Sequence, residues 1–251
     1  AFSEHTRMVA VTQVSNVLGC VNDIPELVKR ARACGAAILM DAAQSAPHMP
    51  IDVQKLDVDF VAFSGHKMLA PMGIGVLYGK QELLEKMPPF LTGGEMIETV
   101  SRYDAVYAEL PHKFEAGTVN AGGAVGLAAA IDYLESYGMD KLHAVEQELT
   151  AYLFRGMKAI PHIHVLGSDR EDNHTGIVSF AVDQVHPHDI SEVLSSDGMD
   201  IRAGHHCAQP LLQYLGTAST TRVSLAFYNT EDEIRAFLTS LGGLRRKMGY
   251  E

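Results

Sequence analysis

The apolar, strand-like run Val58 to Phe63 is closed by Ser64-Gly65-His66-Lys67, and earlier in the chain Ala37-Ile38-Leu39-Met40 ends in Asp41 in the same way. An amine and a carboxylate at the carboxyl ends of two neighbouring strands stand where an α/β sheet presents its chemistry. Pyridoxal phosphate needs such a pair: the amine for a Schiff base, the carboxylate to keep the pyridine nitrogen protonated. Strand-end Asp and Lys also serve as helix caps and solvated ends, so spacing alone leaves both readings open.

Arg202-Ala203-Gly204-His205-His206-Cys207-Ala208-Gln209-Pro210 is the second constellation. A cysteine flanked by two histidines and an arginine, just before a helix expected over Ala208 to Leu215, sits where positive charge and helix-start amides favour the thiolate. That points to a nucleophile. The competing reading is a buried structural cysteine. Adjacent His-His-Cys does not direct three side chains to one ion, and no CxxC or HxxxH cluster completes a tetrahedral site, so no metal is expected. His162, His164, His186 and His188 form His-x-His pairs that lack carboxylate or cysteine companions and read as surface histidines. Arg222, inside Thr220-Thr221-Arg222-Val223-Ser224, is either an edge ion pair or a bidentate clamp for a substrate carboxylate.

The elements that must position these groups follow from pattern. Met8-Val9-Ala10-Val11 reads as a strand, a helix follows from Asn22 or Asp23 with Ile24, Leu27, Val28 and Ala31 at helical spacing, and Gly35 stops it. Strand, helix, strand is a βαβ unit and implies parallel pairing. Val58 to Phe63 and Gly73 to Tyr78 extend the sheet, Pro88 to Gly117 reads as a long loop or hairpin, and Ala121 to Tyr137 and Lys141 to Ile160 read as helices. Beyond Pro161, short strands at Gly176 to Val182 and Thr221 to Phe227 alternate with helices at Pro187 to Ser196 and Thr230 to Leu244. The last opens on a Thr230/Glu233 capping box. The expected fold is α/β, with residues 1–137 contributing a mostly parallel sheet and residues 138–251 a smaller α+β domain that carries the cysteine loop.

Composition bounds the function class. The 251 residues include 20 basic and 31 acidic side chains, a net charge of −11, with no basic run longer than Arg245-Arg246-Lys247, so nucleic acid is not an expected partner. Apolar stretches such as Ala124 to Ile131 fall short of a membrane span, and none is expected. Three scattered cysteines, Cys20, Cys34 and Cys207, make no disulfide framework and favour a reducing compartment, hence the cytoplasm. A chain that opens on Ala1 and runs at once into a strand reads as an entry in mid-domain.

Taken together, Asp41-Ala42-Ala43-Gln44, Ser64-Gly65-His66-Lys67, Gly93-Gly94-Glu95-Met96-Ile97, Phe114-Glu115-Ala116-Gly117-Thr118 and Arg202 to Pro210 resemble the class V, fold type I pyridoxal-phosphate enzymes, and within them the SufS-like (group II) cysteine desulfurases. The resemblance implies that Lys67 carries the cofactor and shuttles a proton at the substrate α-carbon, and that Asp41 pairs with the pyridinium nitrogen. It also implies that Gln44 bonds the ring hydroxyl, and that Ser64 and His66 bind the phosphate with Thr118 reaching over from the partner of a homodimer. Asn16 and Arg222 would hold the substrate carboxylate, Arg202 would support the loop, and Cys207 would take sulfur from L-cysteine, or selenium from L-selenocysteine. A SufE- or SufU-type acceptor would carry the sulfur to iron–sulfur cluster assembly. The family's chain is longer at its amino end, where it carries the phosphate-cradling glycine/threonine turn and the histidine stacked on the ring. The expectation is therefore a chain lacking that portion. The competing classes are a class V aminotransferase or kynureninase-like enzyme, which needs no Cys207, and an inactive fragment that only dimerises or docks a sulfur-transfer partner.

Overall fold

The computed structural model describes residues 2–250. They form two units. The first comprises the residues up to Val11, Ile24–Ala43 and Asp52–Ser136; the second comprises Thr12–Asp23, Gln44–Ile51 and the chain from Tyr137 onward.

In the first unit, strands β1 (Met8–Thr12), β2 (Ala37–Asp41), β3 (Phe60–Ser64) and β4 (Gly75–Gly79) form a sheet in that order. β2 and β3 pair parallel, with Asp41 beside Ala62, and β3 and β4 pair antiparallel, with Ser64 beside Gly75. Helix α1 (Ile24–Ala33) links β1 to β2 and buries Ile24, Val28 and Ala31. It ends in a Schellman turn: Gly35, at φ +68°, donates to the Arg32 carbonyl and Ala36 to that of Ala31. Helix α2 (Val53–Leu56) starts on Asp52, whose carboxylate accepts from the Gln54 and Lys55 amides. The start of β3 is pinned by Asp59. Its carboxylate receives both Arg32 terminal nitrogens, at 2.7 and 2.8 Å, the Ile38 amide at 2.8 Å, and Lys80 Nζ at 3.2 Å. Burial works against the charged form of Asp59, and these donors outweigh it, holding the carboxyl below its ordinary range. Past β4 lie helix α3 (Gln81–Leu84), a hairpin of β5 (Ile97–Val100) and β6 (Ala105–Tyr107), and helix α4 (Ala121–Tyr137), which buries Gly123, Leu127, Ala130 and Leu134 along one stripe.

The second unit is a four-stranded antiparallel sheet in the order β7 (Ile163–Val165), β8 (Ile177–Val182), β10 (Thr220–Ser224), β9 (Arg202–Gly204). Helices α5 (Met139–Ala159), α6 (Pro187–Ser196) and α8 (Glu231–Lys247) share its core, through Leu153 and Met157, Ile190 and Leu194, and Ile234, Phe237 and Leu241 against Val178, Phe180 and Val223. Phe180 and Phe237 meet edge to face with centroids 6.4 Å apart. Each such side chain contributes about 1.5–3 kcal/mol on burial. The Thr230/Glu233 capping box opens α8. The short α7 (Gln209–Tyr214) follows the cysteine loop.

One expectation needs correction. The His162/His164 pair does have a carboxylate companion, because β7–β8 pairing brings Asp183 to 3.2 Å from His162 Nδ1 and 2.7 Å from His164 Nε2. Both histidines are exposed, as expected. The helix after Cys207 runs over Gln209–Tyr214 with Ala208 and Leu215 as its caps, as expected, and Pro210 in its first turn leaves that turn one amide fewer.

Candidate active site

In the first unit the parallel pairing of β2 and β3 sets Asp41 and the turn after Ser64 at the same end of the sheet. Gly65–Lys67 form a 3-10 turn in which Gly65 donates to the Ile74 carbonyl and accepts from the Met68 amide. Gly65 is buried, and a Cβ there would lie 2.7 Å from the Ile74 methyl, so the turn closes only on glycine. Met68 is buried beneath it, and His66 and Lys67 point outward, both exposed. The Lys67 amine makes no hydrogen bond or ion pair with any described residue, which leaves it free to bond covalently. The Asp41 carboxylate accepts the Ala43 amide at 2.9 Å. Thr118 is exposed on the segment before α4. Asp41 and the turn that carries His66 and Lys67 thus stand at one end of the β2–β3 pair, a carboxylate and an amine of the kinds that pyridoxal phosphate uses.

The second unit holds Gln44, Asn16, Arg202, Cys207 and Arg222. Gln44 is half-buried at the head of the turn whose Ser45 carbonyl accepts the His48 and Met49 amides. Asn16 is placed by the segment around Gly19, where φ is +68° and any Cβ would run into the Ile177 carbonyl; Ser179 Oγ donates to the Val17 carbonyl at 2.5 Å and Thr175 to that of Gly19 at 2.9 Å. From there Asn16 Nδ2 donates to the His206 carbonyl at 2.7 Å, and Arg222 Nη1 donates to the Asn16 carbonyl at 2.8 Å.

Arg202 and Arg222 are register partners across β9 and β10. Two guanidinium groups side by side repel unless an anion joins them. Burial, and then Arg202, pull Arg222 below the usual guanidinium range, while Cys207 acts the other way. Arg202 Nη2 lies 3.8 Å from Cys207 Sγ, and Cys207 is exposed, so the structural-cysteine reading fails. Arg222 Nε is buried without a hydrogen-bond partner among the described residues. Such a pair of guanidinium groups can hold an anion, a thiolate or a carboxylate.

Sequence reasoning missed His206. It is 2% exposed, with Nε2 3.1 Å from the Thr220 carbonyl and 2.8 Å from Thr220 Oγ1. Burial first, then Arg222, press its pKa down to about 4. Sequence held only a weak signal, the adjacency of His206 to the reactive cysteine, and nothing separated it from its exposed neighbour His205.

Comparison with known proteins agrees with this geometry. Residues 1–237 match the family profile described as Aminotransferase class-V. A probable cysteine desulfurase of Streptomyces coelicolor is 49% identical over 98% of the chain and 59% of its own length. Among solved structures, the Escherichia coli cysteine desulfurase CsdA superposes with a TM-score of 0.91 at 37% identity, covering 98% of this chain and 60% of that one. A C-DES mutant with glycine covalently linked to its PLP cofactor superposes at 0.82 and 26% identity, covering 96% and 61%. The chain thus spans about 60% of the length of the curated relatives it matches. No helix among the described residues is long and apolar enough to cross a membrane.

Proposed function

The chain belongs to the class-V aminotransferase family, and from that premise we propose that it performs the chemistry of a pyridoxal-phosphate-dependent cysteine desulfurase of the SufS-like group, turning L-cysteine into L-alanine and leaving a persulfide on Cys207. The observation that carries this reading is the exposed Cys207 thiol within reach of Arg202, in a chain 49% identical to a probable cysteine desulfurase. An aminotransferase or a kynureninase-like hydrolase has no use for such a thiol.

Lys67 Nζ would hold the cofactor covalently, Asp41 would keep its ring nitrogen protonated, Gln44 would bond the ring hydroxyl, and Ser64 and His66 would bind the phosphate. When bound, the cofactor draws electrons away from the substrate's α-carbon. Lys67 Nζ takes the α-proton and returns it. Asn16 and Arg222 orient the substrate carboxylate, and Arg202 favours the Cys207 thiolate. Cys207 Sγ attacks the substrate sulfur, so that an S–S bond forms as the Cβ–S bond breaks. The pair from the broken bond stays on carbon, which takes up a proton. The sum is L-cysteine plus Cys207 thiol giving L-alanine plus Cys207 persulfide.

Residues 1–137 act as the carboxyl-terminal part of the cofactor domain and residues 138–251 as the smaller domain. The working form is a cytoplasmic homodimer in which Thr118 reaches the partner's cofactor phosphate. A SufE- or SufU-like acceptor takes the sulfur on to iron–sulfur cluster assembly, and L-selenocysteine serves as a second substrate.

The test is a pair of variants of this chain assayed with L-cysteine. Cys207→Ala is expected to keep the visible absorbance of added pyridoxal phosphate and lose persulfide, while Lys67→Ala loses the absorbance. Desulfurase turnover persisting in Cys207→Ala refutes the nucleophile assignment, whereas amino-group transfer without any sulfur release from the wild-type chain favours the aminotransferase class.

A further inference from the structure

We propose that His206 is the positioning residue of the nucleophile loop, its buried uncharged imidazole and its carbonyl clamping Cys207 in a left-handed conformation that the chain does not adopt unaided. The inference deepens the reading above and rests on Cys207 being the sulfur-accepting thiol.

Two consecutive non-glycine residues, His206 at φ 52° and Cys207 at φ 60°, lie in the left-handed region. Each such residue is strained, and a pair in succession persists only where surrounding bonds over-determine it. The bonds converge on His206 rather than on Cys207. Its carbonyl accepts Asn16 Nδ2, from a residue braced in turn by Arg222. Its ring Nε2 faces Thr220, and the carbonyl there can only accept, so Nε2 carries the ring proton. Nδ1 is then a bare acceptor, buried and without a partner among the described residues. A second proton on Nδ1 would place a buried cation next to Arg222 of β10 and Arg202 of β9, and burial and both guanidinium charges oppose it; the ring of His205 on the loop is the other titratable group nearby. The ring therefore stays uncharged and holds one donor direction across the physiological range. His205 has the same chemistry, but it is exposed and reaches only Gln209, with Nδ1 3.4 Å from Nε2.

The test has a wild-type arm and a variant arm. In nitrogen-15 spectra of the wild-type chain, His206 is expected as the Nε2–H tautomer, unprotonated at pH 7; an imidazolium or the Nδ1–H tautomer at that pH overturns the proposal, and this arm stands even if a variant fails to fold. In His206→Ala, amide exchange at Gly204–Ala208 should accelerate by about tenfold, the loss of roughly one hydrogen bond. With L-cysteine, kcat for persulfide formation should fall by about tenfold or more while KM stays within about twofold, because Arg222 is untouched. His206→Gln, whose amide can still donate to the Thr220 carbonyl, should recover both readouts to within about threefold. A glutamine variant no better than the alanine variant, or an alanine variant with unchanged exchange, sinks the clamp. Should the wild-type chain form no persulfide at all, the desulfurase reading fails, and the exchange and tautomer readouts still decide the role of His206.

Discussion

The two units present their reactive side chains by opposite means. Lys67 follows directly from regular structure: a strand ends, a 3-10 turn closes on a buried glycine, and main-chain bonds to Ile74 and Met68 fix the turn. Cys207 depends on side chains. Its loop is held by Asn16, distant in sequence, and by an imidazole seated on Thr220. The amine is thus a product of local geometry that turns on one buried glycine, whereas the thiol is held by long-range side-chain ties.

That contrast can be broken most decisively by acid. The His206 pKa of about 4 in the folded chain lies below the ordinary unfolded value of about 6.5, so between those values the unfolded chain binds more protons and stability falls as pH drops. The second unit is expected to lose up to about 3 kcal/mol from this group between pH 6.5 and pH 4, and to lose nothing from it above pH 7. Urea unfolding of wild type and His206→Gln at pH 7 and pH 4.5 measures it: the gap between the two proteins should change by about 2.5 kcal/mol, and a constant gap contradicts the assignment. A smaller effect should sharpen the other side. Asp59→Asn leaves Arg32 and Lys80 without their carboxylate and is expected to cost about 2 kcal/mol, discounted because Arg32 is partly solvated. Hydrogen exchange should show that loss in β2 and β3, and loss confined to β8–β10 would argue against it. Smallest is Thr230→Ala, which removes one half of the capping box and should cost about 1 kcal/mol, seen as a lower urea midpoint with faster exchange in the first turn of α8.

Much of this molecule was legible where a pattern is local. Helix α6 and helix α4 have the bounds that spacing and caps indicate, and the Thr230/Glu233 box forms as read. Strand ends differ by one to three residues: β10 stops at Ser224 rather than Phe227, and β3 begins at Phe60 rather than Val58 because Val58 and Asp59 form the pinned approach to the sheet. The short β7 and β9 escaped notice, being three residues each and defined by their neighbours rather than by composition. In the candidate site, Lys67 and Asp41 were visible as strand ends. The Asp183 companion of His162 and His164 was not, since only β7–β8 pairing brings it near. Nor could the sequence separate His205 from His206. Two identical side chains in succession differ only in which one the Thr220 strand can bury.

The division of the chain has a practical corollary. The polypeptide passes from one unit to the other after residues 11, 23, 43, 51 and 136, so the second unit is assembled from three stretches. Residues 138–251 expressed alone would lack Asn16, and with it the amide that fastens the His206 carbonyl. Gene dissection at the obvious helix junction would therefore deliver an excised module whose thiol is chemically present but no longer aimed.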